Sequence, residues 1–291
     1  MKSVAELVYA IRVVTLITIS MLVLSATCSK QKIAEIRLES SHFTVIGSSP
    51  QSSMEEAQAV LQHAEEMRLR FSDLLGNRFD PQQKIFILLE GPFIEQGPYF
   101  DQEGVHLFRY SQEENGYLAL LTHELSHAFR EPYYIEYEPW KWPQFAYYDE
   151  AFAEHLAQLV ESAKTGFPFY GHPEDIVAGS MVVDGTGIPQ DTLRENNDFV
   201  NESCNIQAYA LRAAWCRFVH ERYGWGTLLD LVYSAEEPTR EMASLTLGEN
   251  LSKVDSLWSN WLQDRFNQYE NASVLASRFR EHTSWYVYCQ Y

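Results

Sequence analysis

The chain has 291 residues, with 22 Lys and Arg against 40 Asp and Glu, a net charge of −18. Phosphate affinity is built from clustered Lys and Arg, so this balance excludes a nucleic-acid binder. At 46% hydrophobic and 14% aromatic residues the chain is too apolar to remain disordered, and the absence of internal repeats or low-complexity blocks argues against solenoids and propellers.

The first 27 residues differ from the rest. Lys2 and Arg12 flank the start of an apolar run, Val13 to Leu24, followed by the small residues Ser25, Ala26 and Thr27. That is the plan of a signal peptide, or of a membrane anchor if adjoining residues extend the run, and it predicts an extracytoplasmic protein: secreted, periplasmic or membrane-anchored. Cys28 stands where a lipoprotein carries its acceptor cysteine, so attachment through a lipidated Cys28 is weighed against cleavage near Ala26. Residues 32–268 are expected to form one domain and 269–291 an aromatic tail with Trp285, Tyr286, Tyr288 and Tyr291.

Ile33 to Glu39 and His42 to Ile46 read as strands about a turn at Ser40 and Ser41. A long helix follows: Ser52 or Ser53 can cap it, Glu55 and Glu56 lie three residues on, and Ala57, Val60, Leu61, Ala64, Met67, Phe71, Leu74 and Leu75 recur at helical spacing, with Gly76 as the stop. Lys84 to Glu90 and Val105 to Tyr110 read as further strands, the second as a sheet edge along which an extended ligand adds a strand; His106 is expected at its surface. The chain then turns helical: Gly116 to Phe129, about Asp149 to Lys164, 205 to 223, 225 to 235 and 252 to 268. Residues 131 to 149 are rich in aromatics and broken by Pro132, Pro139 and Pro143, and 165 to 200 read as loop. Strands first and helices afterwards predict an α+β fold, a small mixed sheet followed by a mainly helical lobe.

His123-Glu124-Leu125-Ser126-His127 places two histidines one helical turn apart, where both imidazoles reach a single zinc ion, with Glu124 placed to take a proton from a water beside it. Zinc held by two histidines needs a third protein ligand. Glu150, 23 residues after His127, supplies it, with Glu154 one turn on able to hydrogen-bond the far nitrogen of a ligand histidine. His155 is an alternative ligand, ranked below Glu150. Of the cysteines, Cys204 and Cys216 sit 12 residues apart on the expected helix, about 18 Å, too far to bond each other; Cys289 reaches one of them or the thiols are free.

His123 to His127 followed by Asp149-Glu150-Ala151-Phe152-Ala153-Glu154 resembles the gluzincin metallopeptidases, in particular the compact peptidase-MA-like group related in its catalytic core to aminopeptidase N. Ala208-Tyr209-Ala210, Phe218, Tyr223-Gly224, Leu257-Trp258 and Trp261-Leu262 extend the likeness over roughly residues 33 to 268. The resemblance implies a zincin-like fold, zinc on His123, His127 and Glu150, Glu124 as general base, and a peptide or protein substrate. Tyr209, 59 residues after Glu150, is the candidate to stabilise an oxyanion, against the alternative of a tyrosine packing the core. Ala151 stands where the group has Gly, and the Gly-x-Met-Glu-Asn run with which aminopeptidases grip an amino terminus is missing; Glu95-Gln96-Gly97-Pro98 occupies its neighbourhood. The expectation is therefore an exported zinc peptidase acting internally or with unassigned specificity, the alternative being a noncatalytic zinc- or peptide-binding protein on the same core.

Overall fold

A computed structural model describes residues 35–48, 52–78, 84–92, 99–109, 116–130, 145–165, 174–185, 187, 189–195, 205–234, 239–274 and 277. The N-terminal segment read as a leader, Cys28, Glu95 to Pro98, most of the aromatic connection, Cys204, Cys289 and the aromatic tail lie outside them.

The chain opens with β1 (Glu35–Glu39) and β2 (Phe43–Ser48), antiparallel neighbours. Helix α1 (Met54–Leu75) then carries the chain over the sheet to β3 (Ile85–Pro92), which pairs parallel to β2. Ser53 and Glu56 form a reciprocal capping box at the start of α1: Ser53 Oγ accepts from the Glu56 amide at 3.0 Å and Glu56 Oε2 from the Ser53 amide at 3.4 Å. Ala57, Val60, Ala64, Met67, Phe71 and Leu75 form the buried stripe of α1, and Gly76, at φ 57°, ends the helix as expected.

A short hairpin completes the sheet, β4 (Tyr99–Asp101) and β5 (Gly104–Arg109), in the order β1-β2-β3-β5-β4. Gly104 adopts φ 133° and its Cα lies so close to Phe86 that a Cβ would sit 2.3 Å from that residue's carbonyl oxygen, so only glycine fits. The sequence reading of β5 as an edge is corrected here: β5 lies between β3 and β4, and β4 supplies the outer strand. Val45, Ile87 and Val105 align across three strands and are all buried on the side that α1 covers.

Most of the remaining described residues are helical, which confirms the α+β class. Helix α2 (Gly116–Ala128) runs through the interior, with residues 121–130 all buried, between the sheet and α3 (Phe145–Thr165). Helix α3 begins four residues earlier than its pattern suggests, because Tyr147 and Tyr148 pack edge-on against Trp215 at 5.8 and 5.9 Å and draw that segment into the core. Glu150 therefore sits in the second turn of α3 and does not open it.

Two more helices, α4 (Glu174–Val183) and α5 (Gln190–Glu195), occupy the stretch read as loop. Then come α6 (Asn205–Tyr223), which packs along α3, α7 (Trp225–Val232), α8 (Arg240–Leu247) and α9 (Leu251–Gln268). No helix of the described residues is long and apolar enough to cross a membrane. Cys216 is a buried free thiol on α6.

Candidate metal centre

Helix α2 delivers His123 and His127 to one side, one turn apart, and the second turn of α3 delivers Glu150 opposite them. His123 Nε2 lies 3.2 Å from Glu150 Oε2 and 3.3 Å from His127 Nε2, and His127 Nε2 lies 3.8 Å from the same carboxylate oxygen. Ligand-capable atoms of all three fall within 4.8 Å of one another.

Each imidazole is braced on its far side. His123 Nδ1 donates to Glu154 Oε2 at 3.0 Å, and Gln158 Nε2 donates to the other oxygen of Glu154 at 2.9 Å. His127 Nδ1 donates to Asp149 Oδ2 at 3.1 Å, and the buried Arg130 donates through Nη1 to Asp149 Oδ1 at 2.7 Å. With both Nδ1 atoms engaged as donors, each Nε2 is left facing Glu150.

Glu154 thus reaches the far nitrogen of His123, while the partners Asp149 and Arg130 were missed. Asp149 directly precedes Glu150, and Arg130 follows His127 by three residues, so both were within reach of the motif; nothing in the spacing alone tells which charged neighbours turn inward. His155 is not among the converging groups. It points toward α6, where its Nε2 lies 3.2 Å from His220 Nδ1.

Electrostatics hold the cluster as a network of ion pairs. Burial pulls the His123 imidazolium down, but the hydrogen bonds it donates to Glu150 and Glu154 hold its pKa well above the ordinary value. His127 is likewise raised against burial, chiefly by Asp149. Burial disfavours the Glu150 carboxylate, yet His123 and His127 hold its pKa below the usual range.

Glu124 is different. Its side chain makes no hydrogen bond with any described residue, and burial lifts its carboxyl above the ordinary value despite the opposing pull of His123 and His127.

Tyr209, on α6, meets His123 edge-to-face at 5.6 Å between ring centres and hydrogen-bonds Glu150. Burial, then the charges of Glu150 and Glu124, push its hydroxyl well above the usual tyrosine value, so it remains a donor.

The other histidines stand apart. His106 is buried, correcting its expected surface position: it lies between Glu90 Oε1 at 2.5 Å and Asp101 Oδ1 at 3.2 Å, stacked on Tyr99. His63 pairs with Thr122 at 2.7 Å and His42 with Glu65 at 2.9 Å. His172 and His282 are outside the described residues.

No protein-family model matches the chain, and no curated protein matches it.

Proposed function

We propose that the protein is a zinc-dependent peptidase exported from the cytoplasm, with His123, His127 and Glu150 holding the ion. Ligands 2.0–2.1 Å from a tetrahedral ion stand about 3.3 Å apart, close to the 3.2–3.8 Å separations among the two Nε2 atoms and Glu150 Oε2. The donor set, two neutral imidazoles and a carboxylate, suits zinc and leaves one position for solvent or substrate.

The observation that carries the reading is the contrast between Glu124 and its neighbours. Glu150, Glu154 and Asp149 are all bonded to the histidines, whereas the side chain of Glu124, beside them and buried, makes no hydrogen bond with a described residue. A purely structural metal site has no use for such a group.

Zinc, when bound, supplies Lewis-acid polarisation of a carbonyl and lowers the pKa of a nearby water. Glu124 takes the proton of the attacking water on a carboxylate oxygen and passes it to the leaving amine, a task suited to a carboxyl whose pKa burial raises above the ordinary value. Tyr209 donates its hydroxyl hydrogen to the developing oxyanion, a contribution worth about 10² to 10³ in rate. Glu154 and Asp149 keep the imidazoles from rotating.

The test is cleavage of a broad peptide mixture by the purified protein, with and without a chelator, beside Glu124→Gln. Chelator-sensitive cleavage absent from a Glu124→Gln variant that still binds zinc is expected; turnover retained in that variant sinks the mechanism. Zinc binding without any cleavage would favour the noncatalytic alternative.

A further inference from the structure

Three arginines are fully buried among the described residues: Arg130, Arg194 and Arg212. A guanidinium removed from water needs an anion or a full set of acceptors, because its charge is costly to desolvate. Two of the three have an anion. Arg130 donates to Asp149 at 2.7 Å, and Arg194 grips both oxygens of Asp255 at 2.7 Å each. Among the described residues Arg212 pairs with no carboxylate. Its hydrogen bond runs from Nη2 to the Leu193 carbonyl at 3.3 Å, its guanidinium carbon lies 5.7 Å from the centre of the Tyr147 ring, and Nε and Nη1 have no partner.

Its place in the fold gives those open donors a meaning. Arg212 follows Tyr209 by one turn of α6, and Tyr147 precedes Glu150 by one turn of α3. The packed helices thus set Tyr209 against Glu150 and, one turn away, Arg212 against Tyr147. The charge of Arg212 acts on both Glu150 and Tyr209. Once Glu150 binds a dication, it no longer compensates the guanidinium, and the need for another anion grows. Among the described residues Asp149 and Glu154 are engaged by the histidines, and no carboxylate hydrogen-bonds Arg212.

We infer that Arg212 is an anion subsite of the proposed peptidase centre and receives a carboxylate of the substrate, either its free C-terminus or an Asp or Glu side chain beside the bond cleaved. The inference rests on the peptidase reading for the identity of the ligand as a peptide. A carboxylate brings both the charge and the acceptors that the guanidinium lacks. A neutral group entering in its place leaves buried donors unpaired, so the subsite discriminates by charge. Because Arg212 is fully covered, side chains over it must move as the ligand enters.

The test is equilibrium binding to the full chain carrying Glu124→Gln, which prevents turnover, with and without added zinc. One pair of probes is N-acetyl-Ala-Ala-Phe as free acid and as carboxamide; a second, N-acetyl-Ala-Asp-Ala carboxamide against its Asn counterpart, separates a side-chain source from a C-terminal one. In at least one pair the acid is expected to bind roughly 10- to 100-fold more tightly than its neutral twin. Adding Arg212→Gln should abolish that preference and Arg212→Lys should restore part of it. If Arg212→Gln does not fold, a reduced preference in the folded Arg212→Lys protein carries the comparison. Equal binding of acid and neutral probes in both pairs, or a preference unchanged by either substitution, overturns the inference. The two readings fail separately. Acid preference without chelator-sensitive cleavage removes the peptidase and keeps the subsite, while cleavage with no preference removes the subsite and keeps the peptidase.

Discussion

At the scale of single residues, the proposed zinc centre depends on groups outside its three candidate ligands. Removing the brace from His127 or His123 frees an imidazole to rotate and lowers its basicity, so Asp149→Asn and Glu154→Ala should each weaken zinc binding by about 10- to 100-fold in a chelator competition. Asp149→Ala does more, because it also takes the carboxylate from the buried Arg130. A loss of about 3–5 kcal/mol in urea denaturation is expected there, against a smaller loss for Glu154→Ala. The protonation states set a pH dependence. The folded pKa values of His123 and His127 are raised above the ordinary 6.5, so their ion pairs stabilise the metal-free protein fully below about pH 6.5 and progressively less as pH rises through the raised values. Glu150, whose folded pKa is lowered from 4.5, contributes above about pH 4.5, and that contribution fades as pH falls through its depressed value. Zinc must displace the imidazole protons. Its affinity should therefore climb between pH 6 and pH 8, on the order of tenfold per pH unit for each proton released, with proton release visible calorimetrically in buffers of different ionisation enthalpy. Affinity independent of pH over that range would contradict the ion-pair network.

At the scale of elements, legibility followed the strength of local signals. The spacing of α1, its Ser53 cap and its Gly76 stop all agree, and that helix was read almost to the residue. Helix α8 carried comparable signals, Thr239 accepting from the Met242 amide at 3.2 Å and Gly248 in the left-handed region, but eight residues gave too short an apolar pattern to notice. Helix α4 had no such signal: Gly179 lies in its middle and Ile176, Val177, Val182 and Val183 favour strand. Tertiary packing decides it. Gly179 lets α9 approach so closely that a Cβ there would lie 3.0 Å from the Phe266 Cβ and 3.1 Å from the Leu262 carbonyl. Gly179→Val should accordingly destabilise the protein by about 1–3 kcal/mol. Gly226→Ala, in α7 where nothing lies within 4 Å of the added carbon, should leave stability unchanged or raise it by about 0.4–1 kcal/mol. Urea midpoints compare the two, and equal effects would remove the close α4–α9 contact as the reason for Gly179. The edge strand β4 has three residues and no pattern of its own; it exists as the return arm of a hairpin, which is why β5 passed for the edge.

At the scale of the whole molecule, sequence spacing announced the cluster of His123, His127 and Glu150 because two helices each carry their groups at one-turn intervals. The inward partners depended on how α2, α3 and α6 pack, which no spacing encodes. The packing also gives the reason for ranking Glu150 above His155: both lie on α3, and the helix's orientation sends one toward α2 and the other toward His220. The cooperative core can be probed away from the site. Cys216 is buried and its thiol is pushed well above the ordinary value by burial, so labelling mapped to Cys216 should be negligible in the folded protein and should track global unfolding in urea. Labelling well below the unfolding midpoint would mean that α6 opens locally. The account as a whole stands on the convergence of His123, His127 and Glu150. Its most direct test is the zinc content of the purified protein after dialysis against metal-free buffer, wild type beside Glu150→Ala. About one zinc per chain, lost or much weakened in the variant, is expected; a folded wild type that retains no zinc, or a variant that holds it equally well, would contradict the centre described here.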